Sequence, residues 1–123
     1  MAEPGFLLGR FLSLADTLHA EYSKEVRKDI PPQLLGNALI PTAISSPAKG
    51  LARMLERIRV YQAWARKSGT PLGRWSCGEM GKIANEVAPQ LPDRRLNEAE
   101  QAQLLLGYLA RSEKANDDQG ATN

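Results

Sequence analysis

The chain has 123 residues, of which 42% are hydrophobic and 24% charged, a balance that fits one globular domain and excludes a disordered chain. Its single cysteine, Cys77, excludes an internal disulfide and fits a reducing cytoplasm. A formal net charge of +2 argues for no strong overall preference between partners, and neither a signal-peptide pattern nor an apolar run near the ~20 residues of a membrane span is present.

The first helical pattern opens after Pro4. Leu7, Phe11, Leu14, Leu18 and Tyr22 recur on one face, which predicts a long helix over residues 6–28, ended by Pro31-Pro32. Residues 31–46 are broken by Gly36 and Pro41 and predict a short helix and a turn. Ser46-Pro47 starts the next helix, with serine as N-cap and proline in the first turn, and this helix runs to about Lys67 with Gly69 beyond it. Residues 70–75 read as a loop. Ser76-Cys77-Gly78-Glu79 has the form of a capping box for a short helix over residues 77–87 that faces inward through Met80, Ile83, Ala84 and Val87. Asn97 through Glu100 repeats that form before the last helix, whose stripe is Gln101, Leu104, Leu105, Tyr108 and Leu109. No strand pattern occurs. The expected fold is all-α, a compact helical bundle of four main helices plus one short helix over residues 1–114, with residues 115–123 as a flexible polar tail.

Chemistry is scarce in this sequence. The one histidine, His19, stands near Asp16 and reads as surface decoration rather than half of a catalytic dyad. Cys77 behind a capping serine could have its thiol acidified by a helix N-terminus, but it has no ordinary histidine partner. No metal-ligand spacing is present, and the glycines around 69–81 do not form a phosphate-cradling loop. The expectation is a non-enzyme with no cofactor, no metal and no catalytic residue.

The charge is unevenly spread. Residues 49–82 hold eight basic and two acidic side chains, a local charge of +6, and the remainder sums to −4. At 100° per residue, Leu51, Met54, Leu55, Ile58, Tyr61 and Ala65 share one face, and Lys49, Arg53, Arg57, Val60, Trp64 and Lys67 the other, with Arg59 and Arg66 on a flank. Arg74-Trp75 repeats the basic–aromatic pairing, and Lys82 completes the set; Arg94-Arg95 is a lesser candidate, offset by Asp93 and Glu98. Cations one turn apart can follow phosphates, and an indole among them can stack on a base. The same stripe also suits a protein contact through Val60 and Trp64, or a solvated face. A helix-turn-helix regulator ranks lower, because the start of the helix at Pro47-Ala48-Lys49-Gly50 offers few base-reading side chains.

Three strings occur in a suggestive order: Gly5-Phe6-Leu7-Leu8-Gly9-Arg10-Phe11-Leu12; Leu39-Ile40-Pro41-Thr42-Ala43, with Ser46-Pro47 leading into the Arg53 and Arg57 helix; and Leu96-Asn97-Glu98-Ala99-Glu100-Gln101 followed by Leu106-Gly107-Tyr108. Together they resemble the C-terminal helical domain of the large subunit of the type I-C CRISPR interference complex (Cascade), a region also made as a separate small subunit by internal translation initiation. The resemblance covers residues 5–111, and a start at Met1-Ala2-Glu3 fits a separately made chain. It departs from the family after Gly107-Tyr108, where Leu109-Ala110-Arg111 replaces a segment richer in aromatics and histidine, and at Trp64 and Trp75.

The resemblance implies a cytoplasmic small subunit for antiviral defense, present in several copies along the belly of the RNA-guided complex. Its implied partners are the backbone and large subunits, other copies of itself, the guide RNA complex and the single-stranded non-target DNA; no membrane is implied. It would stabilise the displaced strand of the R-loop by DNA binding, without chemistry of its own. The candidate contacts are Lys49, Arg53, Arg57, Arg59, Trp64, Arg66, Lys67, Arg74 and Lys82. The alternative is a small helical protein–protein adaptor subunit with no direct nucleic-acid contact.

Overall fold

Proline stands in the first turn of four helices, where its missing N–H removes nothing and its fixed φ favours the helical turn. The computed structural model describes residues 3–29 and 35–121, with side chains to residue 110. Among them are seven α-helices and no strand: α1 (Pro4–Glu25), α2 (Leu35–Ala38), α3 (Ile40–Ser45), α4 (Pro47–Arg57), α5 (Arg59–Ser68), α6 (Pro71–Val87) and α7 (Glu98–Ala121). A 3₁₀ turn, Ala88–Gln90, follows α6. The all-α expectation holds. The expected proline stop at 31–32 lies outside the described residues. The backbone of α7 continues to Ala121, through most of the segment expected as a tail.

Several boundaries differ from the sequence reading, each for a local reason. The helix expected over 46–67 is two, because Ile58 (φ −89°, ψ 0°) leaves helical geometry and separates α4 from α5. Ser46 stands at the N-cap of α4, but its side chain makes no capping hydrogen bond. The stretch expected as a loop at 70–75 is the beginning of α6: Thr70 is the cap, and its hydroxyl accepts from the Gly73 N–H at 3.0 Å. Ser76 is therefore well inside α6, buried, and its hydroxyl lacks a hydrogen-bond partner among the described residues. Cys77, beside it, is buried within the helix and away from the N-terminus. Asn97 does cap α7: the Glu100 N–H donates to Asn97 Oδ1 and the Asn97 N–H donates to Glu100 Oε1, both at 2.8 Å.

α1 is the centre of the fold. The sequence showed one apolar stripe, but Leu8, Leu12 and Ala15 are as fully buried as Phe11, Leu14 and Leu18, because α7, α6, α2, α5 and α4 all pack around this helix. Each such leucine or phenylalanine removed from water stabilises the fold by roughly 1.5–3 kcal/mol. The contact with α7 is the most intimate. A Cβ on Gly9 would fall on the carbonyl oxygen of Leu104, and one on Gly107 would fall on the carbonyl oxygen of Phe6, so the two backbones touch with no side chain between them.

Further along α1, Asp16 joins three helices. Its Oδ1 accepts from the Gly36 N–H of α2 at 2.6 Å, and its Oδ2 accepts from the Tyr108 hydroxyl of α7. Burial raises the Asp16 carboxyl above its ordinary value despite these hydrogen bonds, and burial together with the adjoining carboxylate raises the Tyr108 phenol.

Two outcomes follow. Gly9→Ala or Gly107→Ala forces α1 and α7 apart and destabilises the protein by ~3 kcal/mol, read as a lower urea midpoint. The Asp16 carboxyl is harder to ionise in the folded chain than in the unfolded one, so the folded state holds the extra proton and stability falls as pH rises from the ordinary aspartate value through the raised one. Asp16→Asn flattens that slope in a pH series of urea midpoints, whereas Asp16→Ala leaves the Gly36 N–H without its acceptor and costs about 1–3 kcal/mol.

Candidate nucleic-acid interface

The apolar face expected for residues 51–65 points inward: Leu51, Met54, Ile58 and Ala65 are buried, and Leu55 and Tyr61 pack partly against the same core. This orientation leaves Lys49, Arg53 and Arg57 of α4 and Arg59, Arg66 and Lys67 of α5 exposed. None of these six makes an ion pair among the described residues, whose ion pairs are Arg27 with Asp29, Lys82 with Glu79 and Arg94 with Glu100. Lys82 is exposed and lies 3.7 Å from Glu79. The Arg74 guanidinium donates to the Gly69 carbonyl, which holds it over the α5–α6 turn.

Trp64 is placed differently from the expectation. Because α5 starts afresh after Ile58, its indole turns off the outer stripe and meets Tyr22 edge to face, with ring centroids 5.6 Å apart. Tyr22 and His19 in turn meet Tyr61 edge to face, each at 4.8 Å. The far edge of the indole lies over Gly73, where a Cβ would come within 3.2 Å of it. Trp64 thus links α5 to α1 and α6 and is half-buried. The reading of His19 as surface decoration is also corrected, since it is buried within this aromatic group. The exposed indole is Trp75, on α6, with 41% of its surface accessible.

The packing of α6 beside α5 sets Arg66 against the α6 face that carries Arg74 and Lys82. Arg66, Arg74 and Lys82 line one shallow groove of about 490 Å³, whose remaining lining is Cys77, Gly78, Gly81 and Asn85. Lys49, Arg53 and Arg57 are outside it on α4, and Arg59 and Lys67 do not line it. The structure therefore resolves the basic segment into an α4 stripe and an α5–α6 groove. Gly78, Gly81 and Asn85 were not anticipated. Their signal was two glycines within a helical stretch, each costing about 1 kcal/mol relative to alanine without a turn to explain it.

Arg94, the lesser candidate, is committed elsewhere. Its guanidinium donates to both carboxylate oxygens of Glu100, at 2.7 and 3.1 Å, so its counter-charge is Glu100 and not Asp93 or Glu98. That guanidinium, followed by the Asn97 N–H, holds the Glu100 carboxyl below its ordinary value. A second surface lies on α7. Leu105, Leu106 and Leu109 are 47%, 53% and 58% exposed, although two of them belonged to the stripe expected to face the core. The buried positions are Leu104 and Gly107, because α7 is packed almost wholly on α1 and needs only a narrow seam for it.

Among the described residues no group of three or more His, Cys, Asp or Glu could hold a metal ion, and no helix is long and apolar enough to cross a membrane. No protein-family model, curated protein or solved structure matches this chain. The two indoles should differ in substitution. Trp64→Ala lowers stability by ~2 kcal/mol more than Trp75→Ala does, measured by urea unfolding followed by circular dichroism.

Proposed function

We propose that this chain is a non-catalytic, cytoplasmic small subunit of a type I CRISPR interference complex that stabilises the displaced single strand of the R-loop. The observation that carries this reading is the set of exposed cations on α4 and α5 that make no ion pair among the described residues. Holding like charges together without counter-charges disfavours the isolated fold, and a polyanion relieves the repulsion. The order of the three strings that resemble the family supplies the complex, and the cations supply the contact. No chemistry is required of such a subunit: guide pairing reads the sequence, and backbone contacts tip a near-balanced strand exchange.

The exposed leucines of α7 favour a second contact, with protein, and suit packing against the backbone subunits of the same assembly. They also support the adaptor reading taken alone. Ionic strength separates the two, because counterion release makes nucleic-acid binding fall steeply with salt and an apolar interface tolerates it.

Charge reversal at Arg53→Glu with Arg57→Glu weakens protection of the displaced strand by about tenfold, measured by nuclease footprinting of the R-loop, while the subunit still co-purifies with the backbone subunits and guide RNA. Protection equal to wild type removes these residues from the contact. Failure of the unaltered chain to co-purify removes the CRISPR assignment.

A further inference from the structure

We infer that the groove between α5 and α6 seats the sugar–phosphate backbone of a single strand, with Gly78 and Gly81 as the bare surface against which that backbone lies. The inference rests on the nucleic-acid reading above and deepens it, because it moves the centre of the contact to α6 and assigns residues without charge.

The glycines of this fold divide into two kinds. At Gly5, Gly9, Gly36, Gly50, Gly69, Gly73 and Gly107 an added Cβ would meet a neighbour at 3.2 Å or closer, so internal packing accounts for every one of them. Gly78 and Gly81 are the exceptions among the described glycines: nothing lies within 4 Å of a Cβ at either position. Both are exposed and both lie in the interior of α6, where glycine is the poorest helix former after proline. Neither has a positive φ to require glycine. Internal packing does not require them, and a bare helix surface in open space allows close approach by something outside it.

The surroundings identify that something. Arg66, Arg74 and Lys82 line the same groove, and although Lys82 lies 3.7 Å from Glu79 and Arg74 donates to the Gly69 carbonyl, the lining itself holds three cations and no carboxylate, which favours a negatively charged occupant. The groove is shallow and lacks a deep enclosed pocket, which suits an extended backbone better than an isolated small molecule. Trp75, three residues before Gly78 on α6, lies outside the groove's lining on its flank, and the exposed part of its indole offers a stacking edge for an unpaired base there. Asn85, at the far end, can both donate and accept a hydrogen bond. Cations and a bare helix surface in one groove, with an exposed indole on its flank, suit a single strand held without base-edge readout. An acidic peptide shares the charge but makes no use of the indole.

The test uses the full chain and a fluorescein-labelled oligo-dT strand, with binding read by fluorescence anisotropy at low salt. Gly78→Leu with Gly81→Leu is expected to weaken binding about tenfold or more, with the thermal midpoint unchanged or raised. Gly78→Ala with Gly81→Ala, which favours the helix and so raises the midpoint, weakens binding about threefold and serves if the leucine pair folds poorly. If both glycine pairs bind as wild type while Arg66→Glu with Arg74→Glu loses binding, the glycine surface is wrong and the nucleic-acid reading stands. If all three variants bind as wild type, or the unaltered chain does not bind the strand, this groove is not the contact. Displacement of the strand by polyglutamate as readily as by unlabelled oligo-dT overturns the inference in favour of an acidic peptide.

Discussion

The fold depends on the close contact of α1 with α7. Gly9 and Gly107 bring two backbones together with no side chains between them, and a methyl group at either position would occupy the place of a carbonyl oxygen. Because one side of α1 is closed in this thin seam, its large side chains, Leu8, Phe11, Leu12 and Leu18 among them, serve the core shared with the other helices. Asp16 then fixes the register: it takes the Tyr108 hydroxyl from α7 and the Gly36 N–H from α2, so a slip of either helix along α1 would strand a polar group.

The same arrangement decides which surfaces are left over. α7 spends its buried seam on Gly107 and Leu104, and with no second helix packed heavily on it, Leu105, Leu106 and Leu109 remain at the surface. α4 and α5 turn their apolar residues to the core and thereby present Lys49, Arg53, Arg57, Arg59, Arg66 and Lys67 outward. The protein thus carries an apolar face and a basic face on different helices.

Two stretches of the same chemical form behaved differently, and the difference is instructive. Asn97 and Glu100 make the reciprocal cap that their spacing implies, because Leu96 is anchored by its N–H to the Ile44 carbonyl at 2.9 Å and the chain must start its helix there. Ser76 and Glu79 have equal spacing but form no cap. Thr70-Pro71 had already begun the helix, and Gly73 lets that first turn close over the Trp64 ring. A capping pattern says that a helix can start at a residue, and it cannot say that none has started earlier. Trp64 shows the limit from the other side. A single 100° step carried across residues 47–67 sets it among cations, but the break at Ile58 resets the phase and turns it onto Tyr22.

The sequence by itself determined the helical class, the inward face of residues 51–65, the cap of the last helix and the concentration of positive charge in residues 49–82. These follow from periodicity, local hydrogen bonding and charge, all of which act within a few turns of one chain segment. Tertiary structure alone decided that α1 is buried nearly all round, that His19 and Trp64 belong to an aromatic group, and that Arg66 of α5 meets the α6 face of Arg74, Gly78, Gly81 and Lys82. Those outcomes depend on which helices become neighbours, and the spacing of residues within one helix carries no record of what will pack against it.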